Sequence, residues 1–154
     1  MNHGYNPSEL RADDMAIAVV RTQWNEQVTS LLAKGATETL TQAGADVEEF
    51  IVPGAIELTY AAQRIIDSER FDAVIVLGCV IKGDTPHFDY VCQSVTQGIT
   101  SLNADGPVPV IFGVLTVLDL QQALDRCGGS AGHKGIEAAQ TAIAMVDFAR
   151  QFDD

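Results

Sequence analysis

Apolar residues along the chain fall into two patterns that take turns. Short, mainly apolar stretches occur at Met15–Val20, Val47–Val52, Ala73–Ile81 and Val108–Val114, the first of them continuous. Their length and richness in Val and Ile read as strands, the first of them buried on both faces. Between the runs, apolar positions return at spacings of three and four: Val28, Leu31, Leu32, Ala36 and Leu40, then Leu58, Ala61, Ala62, Ile65 and Ile66. Tyr90, Val91, Val95 and Ile99 continue the series, as do Ile143 and Val146 in a last segment from about Lys134. Each set is one buried helix stripe. The punctuation agrees. Asn25 can cap the first helix and Gly44 can stop it, Pro53-Gly54 closes the second strand, and Thr85-Pro86 has the form of an N-cap followed by proline at the first helical position. Asp119 with Gln122 three residues on is a capping-box arrangement, and Pro109 puts the start of the fourth strand at an edge or outside the ladder.

Strand and helix alternating four times over short connections call for a parallel sheet with helices on both faces, because right-handed crossovers place them there. The expected architecture is a flavodoxin-like α/β fold, three layers with a four-stranded parallel core. Residues 15–154 make a single domain and residues 1–14 a polar arm. Ligands bind such sheets outside the carboxyl ends of the strands, so chemistry is sought in the loops after Val20, Val52, Ile81 and Val114.

Composition narrows the partners. With 154 residues, 47% of them apolar, the chain can bury a substantial core. Nine Lys plus Arg against 21 Asp plus Glu give a formal charge of −12, the wrong sign for nucleic acid or an anionic membrane. Only 19% of residues are charged, low enough to predict apolar surface buried against further copies of the chain, a homo-oligomer. Cys79, Cys92 and Cys127 show neither CxxC spacing nor an even count, which predicts no disulfide framework, no zinc site and a reducing cytoplasm. The polar N-terminus and the absence of any apolar run near 18 residues predict a chain without leader or membrane span.

The segment Gly78-Cys-Val-Ile-Lys-Gly-Asp-Thr-Pro-His-Phe-Asp-Tyr90 runs from a strand end through a glycine-containing loop into a helix. Free amides there, the Thr85 hydroxyl and the helix dipole would attract an anion such as phosphate, and an ordinary capped helix is the plainer alternative. His87, in the first turn, could serve as general acid or base, or stand solvated without a role. Trp24, the single tryptophan, could stack on a heterocycle or pack on the helix it introduces. Pro53-Gly-Ala-Ile-Glu57 would admit a planar ligand to backbone groups while Glu57 accepts from an amine or hydroxyl; a plain turn fits it equally. Arg126 and Lys134 bracket a flexible Gly-rich loop and could pair with phosphate, or be helix-end charges. Cys79 has no sequence motif to supply an activating base.

Taken in order, Trp24-Asn25, Val52-Pro-Gly-Ala-Ile-Glu57, the segment 78–91, Pro109-Val-Ile-Phe-Gly-Val-Leu-Thr116, Gln122-Ala-Leu-Asp-Arg126 and Gly132-His-Lys-Gly135 resemble the 6,7-dimethyl-8-ribityllumazine synthase family over about residues 15–150. The resemblance implies condensation of 5-amino-6-(D-ribitylamino)uracil with 3,4-dihydroxy-2-butanone 4-phosphate to the lumazine in riboflavin biosynthesis, without metal or organic cofactor. It implies Trp24 stacking on the pyrimidine. Ala55, Ile56 and Glu57, with Cys79, Val80 and Ile81, would line the ribityl and pyrimidine pocket. Asp84, Thr85 and Arg126 would hold phosphate with Lys134 nearby, His87 would transfer protons, and Phe112 would close the pocket. It further implies that Phe112, Arg126 and Lys134 come from a neighbouring subunit of a pentamer. The short 127–133 loop permits a sixty-subunit shell of pentamers.

Two positions depart from the family's usual residues: Ile56 replaces a common aromatic, and His133 stands where Asn is frequent. Three other readings compete. A flavin or flavin-precursor binder would hold ligand without turnover, a cysteine-dependent enzyme would use Cys79, and a riboflavin synthase on this scaffold would need no phosphate site.

Overall fold

The computed structural model describes residues 10–153. Its main sheet has four parallel strands in the order β2-β1-β3-β4, with β1 at Ala16–Thr22, β2 at Asp46–Val52, β3 at Ala73–Ile81 and β4 at Val110–Val117. All four expected strands are present. β4 starts two residues later and ends three later than the apolar run suggests; Pro109 has no N–H to give and stands just outside, contributing only its carbonyl, 3.0 Å from the Val74 nitrogen.

The connections explain the layers. From β1 the chain moves outward to β2 through α1 (Glu26–Ala43), then reverses direction to β3 through α2 (Glu57–Asp67) and on to β4 through α3 (His87–Asp105). Right-handed crossovers running in opposite directions must use opposite faces. Accordingly α1 shares one face with α5 (Lys134–Arg150), where Leu32, Leu40 and Ile143 pack on Ile17, Ile75 and Leu77; on the other face Leu58 of α2 and Val95 and Ile99 of α3 pack on Val20, Val74 and Val76. β1 and β3 are buried on both sides, as continuous apolar strands should be. β2 and β4 are the edges.

The turn chemistry holds in part. Gly44 closes α1 in the left-handed region at φ 101°, a conformation that favours glycine. Asp119 caps the short α4 (Leu120–Asp125) by accepting from the Gln122 nitrogen at 2.8 Å, and the Gln122 side chain answers by accepting from Leu118. Asn25 does not cap α1. It lies at the cap position in the left-handed region, φ 59° and ψ 42°, and its side chain is committed elsewhere. The stretch read as a flexible glycine-rich loop is instead a small antiparallel hairpin, β5 (Cys127–Gly129) with β6 (Gly132–His133), turned by Gly128 and Gly132 at positive φ. Of the N-terminal arm, residues 1–9 lie outside the described residues. Ala12 is fully buried and bonded to the end of α1, so the remainder packs on the domain.

Candidate active site

The direction of the chain reverses between β1 and β3, and the crevice at their carboxyl ends is where this topology leaves room for a ligand. Past β1 the backbone still follows β2: Gln23 N–H donates to Val52 at 2.7 Å and Trp24 N–H to Pro53 at 2.9 Å. The Trp24 ring therefore lies across the 53–54 turn. A β-carbon on Gly54 would come within 2.5 Å of that ring, so glycine is what lets it seat there. Trp24 as a whole remains 63% exposed. Packing on the helix it introduces, the plainer alternative, does not describe it; an aromatic face is held open to solvent beside the strand ends.

Asn25 follows. Its left-handed backbone turns the chain into α1, and its side-chain amide donates to the Cys79 carbonyl at 2.8 Å. The β1–β3 ladder ends at Arg21 and Leu77, so beyond it the Asn25 amide takes the place of the missing strand. The Cys79 side chain points the other way, into the core beneath α1 and α5. Burial, with the Cys127 thiol adding to it, pushes the Cys79 thiol up to about 11. A thiol buried this way is no nucleophile near neutral pH. Only the backbone of Cys79 is left to act at the crevice, where Val80 and Ile81 are half-buried. Across the crevice Ala55, exposed Ile56 and half-buried Glu57 form the entry to α2.

At the end of β3 the Gly83, Asp84 and Thr85 N–H groups donate to no acceptor among the described residues, and nothing lies within 4 Å of where a Gly83 side chain would begin. The Thr85 hydroxyl accepts from His87 N–H at 3.3 Å, but the cap position falls one residue later than the sequence suggests, at Pro86, with α3 starting at His87. The positive end of a 19-residue helix thus faces open space with unsatisfied donors, an arrangement that favours an anion. The Asp84 side chain is exposed and of the wrong sign, so this residue can serve an anion only through its backbone. His87 is exposed in the same turn.

Phe112, Arg126 and Lys134 belong to a different surface. Arg126 and Lys134 line a cleft of about 270 Å³ along β4, with Val114–Val117, Ala131 and Glu137. Phe112 and Lys134 share a larger groove, about 980 Å³, between the start of β4 and α5. Neither includes Trp24, Glu57, Thr85 or His87. This groove lies away from the crevice, on the unpaired edge of the sheet. Arg126 is exposed, its guanidinium donating to the Gln122 carbonyl at 2.8 Å. Lys134 N–H donates to the Arg126 carbonyl, also at 2.8 Å, and this ties the two cations' backbones together. Among the described residues no three His, Cys, Asp or Glu side chains are grouped to hold a metal ion, and no helix is long and apolar enough to cross a membrane.

One chain therefore assembles the Trp24, Asn25, 55–57, 79–81 and 83–87 groups at the strand ends and leaves Phe112, Arg126 and Lys134 on the free edge. Two contributors escape sequence reasoning. The Asn25–Cys79 bond was signalled by Asn's tolerance of the left-handed region, and Glu137 joins the cation cleft one helical turn after Lys134.

Residues 14–150 match the sequence profile of the 6,7-dimethyl-8-ribityllumazine synthases. The 6,7-dimethyl-8-ribityllumazine synthase of Parabacteroides distasonis is 52% identical over 140 residues, 89% of this chain and 88% of that protein. The protein of the same name from Bacteroides fragilis is 50% identical, over 87% of this chain and 96% of its own. That from Syntrophus aciditrophicus is 46% identical, over 92% and 94%.

Proposed function

Because this chain belongs to the 6,7-dimethyl-8-ribityllumazine synthase family, we propose that its active site is completed only when the strand-end crevice of one copy meets the β4 edge of another. The enzyme is a transferase of riboflavin biosynthesis. It condenses 5-amino-6-(D-ribitylamino)uracil with 3,4-dihydroxy-2-butanone 4-phosphate to 6,7-dimethyl-8-ribityllumazine, with loss of phosphate and water. The family is oligomeric and acts on small-molecule substrates.

The pyrimidine stacks on Trp24, and its ribityl chain and ring edges meet the backbones of Ala55, Ile56, Cys79, Val80 and Ile81 and the Glu57 carboxylate. Support comes from the open Trp24 face and from the backbone groups converging on the same crevice. Phosphate binds the amides of Asp84 and Thr85 at the start of α3, completed by Arg126 and Lys134 of the neighbouring copy; Phe112 of that copy covers the ring. His87, beside this anion site, moves protons during dehydration of the carbinolamine and departure of phosphate. Both reactants are intrinsically reactive, so positioning and charge stabilisation carry the rate enhancement.

The observation that carries the reading is the split itself: the residues needed for one anion and one aromatic site lie on two separate surfaces of a single chain, one of them an unpaired strand edge. The exposed apolar residues Ile51, Ile56, Tyr60 and Phe148 support burial against further copies. The assembly is a cytoplasmic homopentamer of single domains, residues 15–154 with the 10–14 stretch packed on them. The short 127–133 hairpin leaves a shell of pentamers open, and the free thiols fit a reducing compartment.

The test begins with lumazine absorbance on mixing the two substrates, spontaneous background subtracted. Acceleration over background is expected; a protein that binds product without accelerating would be a binder. His87→Ala slows turnover without loss of stability, and Arg126→Ala weakens use of the phosphorylated substrate. Co-assembled from equal amounts, these two defective variants regain activity, since about a quarter of shared sites then combine two intact halves. A mixture no better than the mean of its components would refute sharing.

A further inference from the structure

α5 begins on a histidine. The His133 Nδ1 atom accepts the Ile136 N–H at 3.2 Å, doing for this helix what Asn or Ser usually does. Its ring lies against α1 at Gly35, where any β-carbon would collide with it. In the β5–β6 hairpin His133 stands opposite Cys127, the residue after Arg126, and Lys134, the residue after His133, donates its N–H to the Arg126 carbonyl. The two cations of the β4 edge are therefore adjacent in the chain to the two members of one backbone pair, and that pair is anchored by the His133 ring.

We propose that His133 is a positioning residue for the Arg126–Lys134 pair: its neutral imidazole holds the start of α5 and the hairpin in register, and protonating it releases them, weakening the grip on the phosphorylated substrate. This rests on the assignment of Arg126 and Lys134 to phosphate made above.

The chemistry is mutually exclusive. With Nδ1 accepting from an amide, the single proton of the neutral ring sits on Nε2, so a second proton can enter only at Nδ1 and must break the capping bond. The imidazolium would also face the positive end of α5 and the adjoining Lys134. Burial lowers the imidazole below its ordinary range and outweighs the groups that favour the charged ring, which are the backbone of His133, Glu137 on α5, the backbone of Leu31 and Glu38 on α1; Cys127 of β5 is its strand partner.

The experiment measures kcat, and KM for each substrate, between about pH 5.5 and 8, in the assembled wild type, His133→Asn, His133→Ala and Arg126→Ala. Asn caps without titrating, so His133→Asn keeps the neutral-pH KM for the butanone phosphate. It loses the part of the acidic rise that exceeds the substrate phosphate's own titration, which every variant shares. His133→Ala raises that KM about five-fold at neutral pH, the loss of one capping bond, with KM for the ribitylaminouracil and kcat unmoved. An acidic rise in His133→Asn identical to wild type overturns the proposal, whether or not His133→Ala assembles. So does a folded His133→Ala with the wild-type KM. If Arg126→Ala also leaves that KM unchanged, the phosphate assignment itself has failed; if Arg126→Ala raises it while the His133 variants do nothing, only the role of His133 is lost.

Discussion

Replacing Asn25 separates two effects that one residue combines. Its side chain donates to the Cys79 carbonyl at 2.8 Å, and its backbone occupies the left-handed region at φ 59°. Asn25→Ala loses the hydrogen bond, about 1 kcal/mol net, and places a β-carbon with no compensating local bond in a conformation that costs it about 1 kcal/mol more. Asn25→Gly loses the same bond, about 1 kcal/mol, and adds freedom to the unfolded chain, about 0.5 kcal/mol, but meets no left-handed penalty. The expected order is therefore wild type, then Gly, then Ala, with the two variants separated by about 0.5 kcal/mol. Urea unfolding followed by circular dichroism reads this, at one fixed protomer concentration because assembly stabilises by mass action. Both variants should also raise KM for the ribitylaminouracil, since the Cys79 carbonyl they release borders the crevice. Equal destabilisation of the two would refute the backbone reasoning. An Asn25→Gly protein as stable as wild type would show that the bond beyond the end of the β1–β3 ladder contributes nothing.

Other positions give sharp expectations. Gly54→Ala puts a methyl group 2.5 Å from the Trp24 ring, so tryptophan fluorescence should shift and KM for the pyrimidine substrate rise about ten-fold, the worth of one aromatic stack; an unchanged spectrum and KM would mean the ring does not depend on that turn. Cys79→Ser should keep kcat, and Cys79 should resist alkylation at pH 8, because a thiol at about 11 leaves roughly one thiolate in a thousand there; inactivation by brief alkylation would restore the cysteine-dependent reading. Stability should carry a term from His133. Burial lowers its folded pKa below the ordinary 6.5, so the folded state binds its proton only at lower pH than the unfolded chain. This contribution is complete above about 6.5 and is lost as pH falls through the folded value. Melting temperature against pH should accordingly fall less steeply on the acid side in His133→Asn than in wild type.

Apolar patterning alone determined the four strands, the helices between them and hence the parallel sheet, because burial demands a period of 3.6 in a helix and, in the two central strands covered on both faces, a nearly continuous apolar run. Local signals read equally well wherever the controlling interaction is local: Gly44 as a left-handed stop, the Asp119 cap, Pro109 outside the ladder, the Thr85 bond to the start of α3. The segment from Gly78 to Tyr90 announced an anion-friendly helix end from its own residues.

Only tertiary structure could decide the rest. Asn25 reads as a cap on any local rule, yet its amide is taken by a carbonyl 54 positions away, an acceptor exposed because β1 stops short of β3. The stretch 127–133 looks loose by composition; antiparallel pairing and the His133 ring wedged on Gly35 make it a hairpin with a fixed register. Cys79 stands in the most informative motif, but the alternation of the strand turns its thiol into the core and leaves its carbonyl for the crevice. The separation of Trp24, Thr85 and His87 from Phe112, Arg126 and Lys134 is a matter of which strands lie at the edge of the sheet. Edge and centre are properties of strand order, which long-range pairing sets and no run of neighbouring residues encodes.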